Sequence, residues 1–156
     1  MSSENERHLY DVTISWKNGK IGSAHSPHLD QSLEIATPPE FPGGVERIWS
    51  PEHLFTASVS SCFMTSFTAI AEYSSFEFDA LDVRSSGVME KENGKFMMSK
   101  IILKPTLRIR DVSSLKKAYR LLEKAEQICL ITRSIKSEIE FEPQVEIITA
   151  GESVPS

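Results

Sequence analysis

The stretch from Ser50 to Tyr73 constrains this chain more than any other. Ser50 is a helix-capping residue type, Pro51 suits a first helical position, and Glu52 favours the positive end of a helix. Phe55, Ala57, Val59, Cys62, Phe63, Met64, Phe67, Ala69, Ile70 and Ala71 then cover most of the circumference, with serine and threonine between them. A helix that is apolar nearly all round is buried on several sides. Small side chains also let another backbone come close. The pattern predicts a central helix to about Tyr73, able to pack on a copy of itself.

Strands flank it. From His8 to Trp16, Tyr10, Val12, Ile14 and Trp16 alternate with Asp11, Thr13 and Ser15, the pattern of a half-buried strand. Lys17-Asn18-Gly19-Lys20 reads as a hairpin turn, Ile21 to His25 as the return strand, and Ser32 to Ala36 as a further short strand. Thr37 to Trp49 carries Pro38, Pro39, Pro42, Gly43 and Gly44, which break regular structure; a loop of this length is often functional. Ala80 to Glu90 and Lys95 to Arg110 predict two long strands around an Asn93-Gly94 turn. Ser113 is positioned to cap a second helix through about Ile128, with Leu115, Ala118, Tyr119, Leu122, Ala125 and Ile128 as its stripe. Glu138 to Ile148 alternates as a strand, and Pro143 suggests an edge or a bulge. Residues 150–156 read as a loose tail. This order predicts one α+β domain over 1–156, with an ordered core at about 8–148 and a largely antiparallel sheet covering helices.

Charge and composition narrow the function classes. With 156 residues and a formal charge of -5, the chain lacks the basic face that nucleic acids or anionic membranes require. No stretch approaches the roughly 20 apolar residues of a membrane span. The polar start, Met1 to His8, lacks the apolar core of a signal peptide, so a cytoplasmic location is expected. In that compartment two cysteines are buried thiols, metal ligands or redox groups rather than a permanent disulfide. His25, His28 and Asp30 lack the spacing of a metal site, and no phosphate-binding glycine loop or nucleophile elbow occurs. No metal or cofactor is therefore expected.

Four residues are candidates for chemistry. Cys62 lies about three turns into the apolar helix; it either fills space or, given thiolate character and access, reacts. Its neighbours Ser61 and Phe63 are uncharged, so activation is expected from residues distant in sequence. Cys129 closes the second helix as a core thiol or as a resolving partner, the latter needing Cα atoms within about 7 Å. Glu52 favours its helix start; ten residues from Cys62, it lies roughly 15 Å away along the same helix. A shared site would then take Glu52 from a second, two-fold-related subunit. Arg47, in the proline-glycine loop, is a solvated cation or a guanidinium that pairs with Glu52 and favours a thiolate; Lys17 and Lys20 compete for that role.

Taken together, Ser50-Pro51-Glu52-His53-Leu54-Phe55, Ala57 and Ser61-Cys62-Phe63-Met64 resemble the cysteine-bearing helix of OsmC/Ohr proteins. Leu122-Glu123-Lys124-Ala125-Glu126-Gln127-Ile128-Cys129 is similar to their second helix, and the element order matches from about Tyr10 to Ile148. The resemblance implies an intertwined homodimer, with sheets wrapped around two central helices. It implies a peroxidase for organic hydroperoxides in oxidative stress defence. Cys62 would be oxidised to a sulfenic acid, Cys129 would close a disulfide with it, and an external dithiol, in some members a protein-bound lipoyl group, would reduce the pair. Glu52 would match the family's active-site glutamate that pairs with an arginine. Two departures stand out: Lys17 and Lys20 replace the hairpin arginine of the hydroperoxide-resistance branch, and Leu130 follows Cys129 where proline is frequent. The alternative that these departures motivate is a non-catalytic dimer holding a small apolar or thiol ligand in the same pocket.

Overall fold

The apolar run does form one unbroken helix. In this computed structural model, which describes residues 6–149 and 151, α1 spans Pro51–Tyr73. The remaining elements are β1 (Thr13–Asn18), β2 (Ile21–His25), β3 (Leu33–Ala36), β4 (Ala80–Glu92), β5 (Lys95–Ile109), α2 (Leu115–Ile128), α3 (Leu130–Ser134), β6 (Glu138–Phe141) and β7 (Gln144–Ile147). The class is α+β. The chain divides into two compact units, residues 1–51 and 52–156. The tail expected over 150–156 lies, but for Gly151, outside the described residues.

The first unit is an antiparallel meander, β1-β2-β3. Gly19 takes a φ of 50° at the β1–β2 turn, and Trp16 Nε1 donates to the Gly19 carbonyl at 2.9 Å. The loop after β3 returns to it, with the Ala36 amide donating to the Trp49 carbonyl at 2.8 Å. Gly44 has no alternative there, because a Cβ would overlap the Pro38 carbonyl. The half-buried strand expected over His8 to Trp16 is corrected in two ways. It starts at Thr13, and every residue of β1 is exposed, Trp16 at 75%. Alternation marks a face that needs cover, and a single chain leaves this face uncovered.

In the second unit β4 and β5 form a long antiparallel hairpin. Asn93 and Gly94 both have positive φ (52° and 78°), as a tight turn between twisted strands requires. Alternation along β5 sorts its side chains. Ile101, Leu103, Leu107 and Ile109 face inward, while Lys100 pairs with Glu140 (2.9 Å), Lys104 with Glu142 (3.9 Å) and Arg108 with Asp82 (2.7 Å) and Glu146 (3.0 Å). β6 and β7 join the outer side of β5, both parallel to it, so the sheet is less uniformly antiparallel than the sequence suggested. Pro105 falls between the stretches of β5 that pair with them, and Pro143 falls between the two short strands.

The core gathers Val59, Phe63, Phe67, Ile70 and Ala71 of α1, the inward residues of β5, and Ala118, Leu121, Leu122 and Ala125 of α2. Phe63 packs on Phe67 and Phe141, with ring centroids 6.5 and 5.6 Å away. Gly87 of β4 admits α1, since a Cβ there would overlap Thr56 Oγ1. The expectation of burial on several sides is corrected for the single chain. One face of α1 is covered, while Ser61, Met64, Thr65, Thr68 and Ala69 stay exposed on the other. α1 is long and apolar enough to cross a membrane by length and composition alone, and five of its residues build this core.

Candidate active site

Cys62 sits about three turns into α1, where the side chains of successive turns stack on one face. Cys129 sits at the junction of α2 and α3. Its φ and ψ of -62° and 115° are extended, which breaks the helical path and starts a new helix at Leu130. That break turns the amides of Leu130 and Ile131 outward as unspent donors of a first turn. Both amides, the Cys129 thiol and the Ser66 hydroxyl come near enough to the Cys62 sulfur to favour its thiolate. The two cysteines, 67 positions apart in numbering (129 minus 62), are thus direct neighbours, and both are free thiols.

The same geometry separates their acidities. Burial pushes the Cys62 thiol up, but the donors from Ile131, Cys129, Ser66 and Leu130 together outweigh it and leave the thiol more acidic than an ordinary cysteine. Burial dominates at Cys129 and raises its thiol, only partly offset by the Thr132 amide and hydroxyl, while the bond to Cys62 raises it further. Of the two, Cys62 is the more readily ionised thiol. Cys62 is partly accessible and Cys129 is buried, consistent with attack from outside on the first and resolution from within by the second.

Activation here comes from neutral donors. Ser66, one turn after Cys62, is local in sequence, which corrects the expectation that activation arises only from distant residues. Its i, i+4 spacing was the available signal. The amides of Leu130 and Ile131 carried none, since they depend on the backbone break. Replacing Leu130 with proline tests one of them. Proline suits a first helical position, and the extended Cys129 tolerates a following proline. The fold should persist while one amide donor is lost. The expected result is an alkaline shift in the pH profile of Cys62 alkylation, with the rate at pH 7 falling about two- to fivefold, the low end of the net worth of an ordinary hydrogen bond.

Glu52 lies in the first turn of α1. Its Oε1 is buried with no hydrogen-bond partner among the described residues, an arrangement that costs free energy wherever it persists. Arg47 belongs to the other compact unit. It is exposed, has a positive φ of 67° and forms none of the ion pairs found among the described residues. Lys17 is paired with Glu34 at 3.6 Å on the meander. The structure therefore brings Cys62 and Cys129 together, and it leaves Glu52 with an unmet carboxylate oxygen.

Comparison with known proteins gives a consistent picture. A family model described as OsmC-like protein matches residues 44–144, which include both cysteines and Glu52. The uncharacterized protein YmaD of Bacillus subtilis (strain 168) is 26% identical over 152 residues, covering 94% of this chain and 99% of that protein. The organic hydroperoxide resistance protein-like 1 of Staphylococcus saprophyticus is 24% identical over 143 residues, 89% of this chain and 96% of its own. Among solved structures, an OsmC-like protein of unknown function from Vibrio cholerae superposes with a TM-score of 0.77 at 21% identity, covering 91% of this chain and all (100%) of that one.

Proposed function

The chain belongs to the OsmC-like protein family, and within it we propose that this member is a cytoplasmic thiol peroxidase that reduces organic hydroperoxides. The observation that carries the reading is a neighbouring pair of unlike free thiols: Cys62 partly accessible and made more acidic, Cys129 buried and made less so. A relative named for organic hydroperoxide resistance supports the choice of substrate. In the first step the Cys62 thiolate attacks the terminal peroxide oxygen. An S–O bond forms, the O–O bond breaks, and the departing alkoxide takes a proton from solvent to leave as the alcohol. Cys62 is oxidised by two electrons to the sulfenic acid. The Cys129 sulfur then displaces the sulfenic oxygen as water, forming the disulfide. An external dithiol, such as a protein-bound lipoyl group, returns both thiols by exchange.

The reading includes a homodimer. The uncovered face of α1 and the exposed apolar side chains Ile14 and Trp16 of β1 are surfaces that a second copy would bury. The distance along α1 separates Glu52 from the Cys62 of its own chain, so the assignment pairs Glu52 of one subunit with Cys62 of the other. Arg47 is assigned as the cation that meets the Glu52 carboxylate. Its unpartnered oxygen supports this, because removing such a buried orphan is worth about 1–3 kcal/mol. The test is direct. Purified protein, dimeric by light scattering, should consume cumene or t-butyl hydroperoxide in the presence of a dithiol, and a sulfenic-acid trap should label Cys62. Absence of both turnover and label with every dithiol tried overturns the proposal.

A further inference from the structure

The outer face of α2 carries charge that the fold does not use. Lys116, Arg120 and Lys124 recur at every fourth position, so they stand one above another along the helix, and all three are exposed. None of them forms an ion pair among the described residues. Like charges at this spacing repel. Lys117 behaves differently: its ammonium lies 5.9 Å from the centre of the Phe76 ring and donates to the Ser74 carbonyl at 3.4 Å. The helix holds four cations against two carboxylates, Glu123 and Glu126, in a chain whose formal charge is -5. The stripe is therefore a local feature and not a product of overall composition.

The stripe also leads somewhere. The next position in its series is Ile128, 49% exposed, and Leu130 is 65% exposed. These two apolar residues flank Cys129 in the chain, at the α2–α3 junction. From Lys116 to Ile128 the series is about 18 Å long. Resting on the peroxidase reading above, we infer that this face of α2 docks the protein that reduces the Cys62–Cys129 disulfide, and that this protein carries carboxylates around its dithiol. Charge complementarity names the partner: three unpaired cations on an acidic chain favour an acidic macromolecule. A small neutral dithiol gains nothing from charges spread over that length. The cations steer the carrier and set its register, and Ile128 and Leu130 give an apolar contact where exchange takes place. One carrier thiolate attacks a disulfide sulfur, the Cys62–Cys129 bond breaks, and a mixed disulfide forms. The second carrier thiol displaces it. The carrier is oxidised to its own disulfide, and its two electrons and two protons leave Cys62 and Cys129 as thiols.

The experiment uses the full-length protein, oxidised with diamide so that reduction is read without any hydroperoxide. The reductants are a reduced lipoylated carrier domain of net negative charge and free dihydrolipoamide, which is neutral. The variant combines Lys116→Glu, Arg120→Glu and Lys124→Glu. At low salt the carrier domain should reduce it about ten- to a hundredfold more slowly than wild type, the range that electrostatic steering supplies. The difference should close near 1 M salt, where screening acts within about 3 Å. Dihydrolipoamide should reduce both proteins at one rate. The three side chains are exposed and unpaired, so the melting midpoint should hold; the triple glutamine variant gives the same test with a smaller loss if the glutamates unsettle α2. Equal rates with the carrier domain overturn the inference, as does an equal loss with dihydrolipoamide. Binding of wild type to phosphatidylserine vesicles, with reduction indifferent to the stripe, would assign the face to a membrane and also overturn it. If diamide forms no Cys62–Cys129 disulfide, this inference and the peroxidase reading both fall. If hydroperoxide alone fails to oxidise Cys62, the peroxidase reading falls, and charge-dependent reduction of the diamide-formed disulfide would still establish the docking face.

Discussion

Replacing Cys62 with serine should abolish hydroperoxide turnover, with the residual rate at the level of dithiol alone. A serine hydroxyl at this site cannot ionise near neutral pH, and the donors that favour a thiolate have no sulfur to act on. Replacing Cys129 with serine should give a different phenotype. The first oxidation proceeds, the sulfenic acid at Cys62 persists, and excess hydroperoxide carries it on to the sulfinic acid, readable as mass increments of about one and two oxygen atoms. A Cys129→Ser protein that still turns over at the wild-type rate with a dithiol would remove the resolving role. The pH sign also follows. Because the Cys62 thiol is lowered in the folded protein, its ionisation stabilises the fold above the ordinary thiol range, and that contribution is lost as pH falls through the folded value. Turnover should fade on the same acidic limb, and Cys62→Ser should erase the corresponding step in stability.

Phe63→Ala should be the most destabilising of the substitutions considered, by about 3–5 kcal/mol. Phe63 is fully buried and joins two elements, stacking along α1 on Phe67 and meeting Phe141 of β6. Truncation leaves a void that rigid neighbours on a helix and a sheet fill poorly. For a chain of this length the melting midpoint should drop by roughly 6–20 °C, read by circular dichroism. A drop under a few degrees would mean that the core relaxes into the gap. Phe63 and Cys62 are consecutive, so the helix turns one toward the core and its neighbour toward the α2–α3 junction. The stability of this helix and the aim of the nucleophile are therefore set by the same rotation about its axis.

Much of the scaffold was legible because its signals are local. Pro51 and Tyr73 bound α1 as expected, and Asn93-Gly94 closes the β4–β5 hairpin with the backbone angles that such a turn needs. Signals that depend on cover were misleading. Tyr10 and Val12 alternate like strand residues, yet β1 begins only at Thr13, because pattern alone does not supply a neighbour. The cap of the second helix differs from the expectation. Ser113 does not cap α2, whose N-cap position is Ser114 with no side-chain capping bond; Asp111 caps the short 3-10 turn before it, a carboxylate oxygen accepting from the Ser113 amide at 2.9 Å. At the site, the residue types were readable but the donors were not. A backbone amide looks the same at every position in a sequence, and only the break at Cys129 makes those of Leu130 and Ile131 available.

The interrupted rim of the larger sheet has a consequence for how copies of this chain can add to one another. β6 and β7 are four-residue strands split at Pro143, beside a stretch of β5 where Pro105 has no N–H to offer. An incoming strand finds no continuous row of backbone groups there. Within this unit the opposite rim is β4, 13 residues long, with no further strand paired on it among the described residues. Within this sheet, strand addition therefore has one open rim and not two.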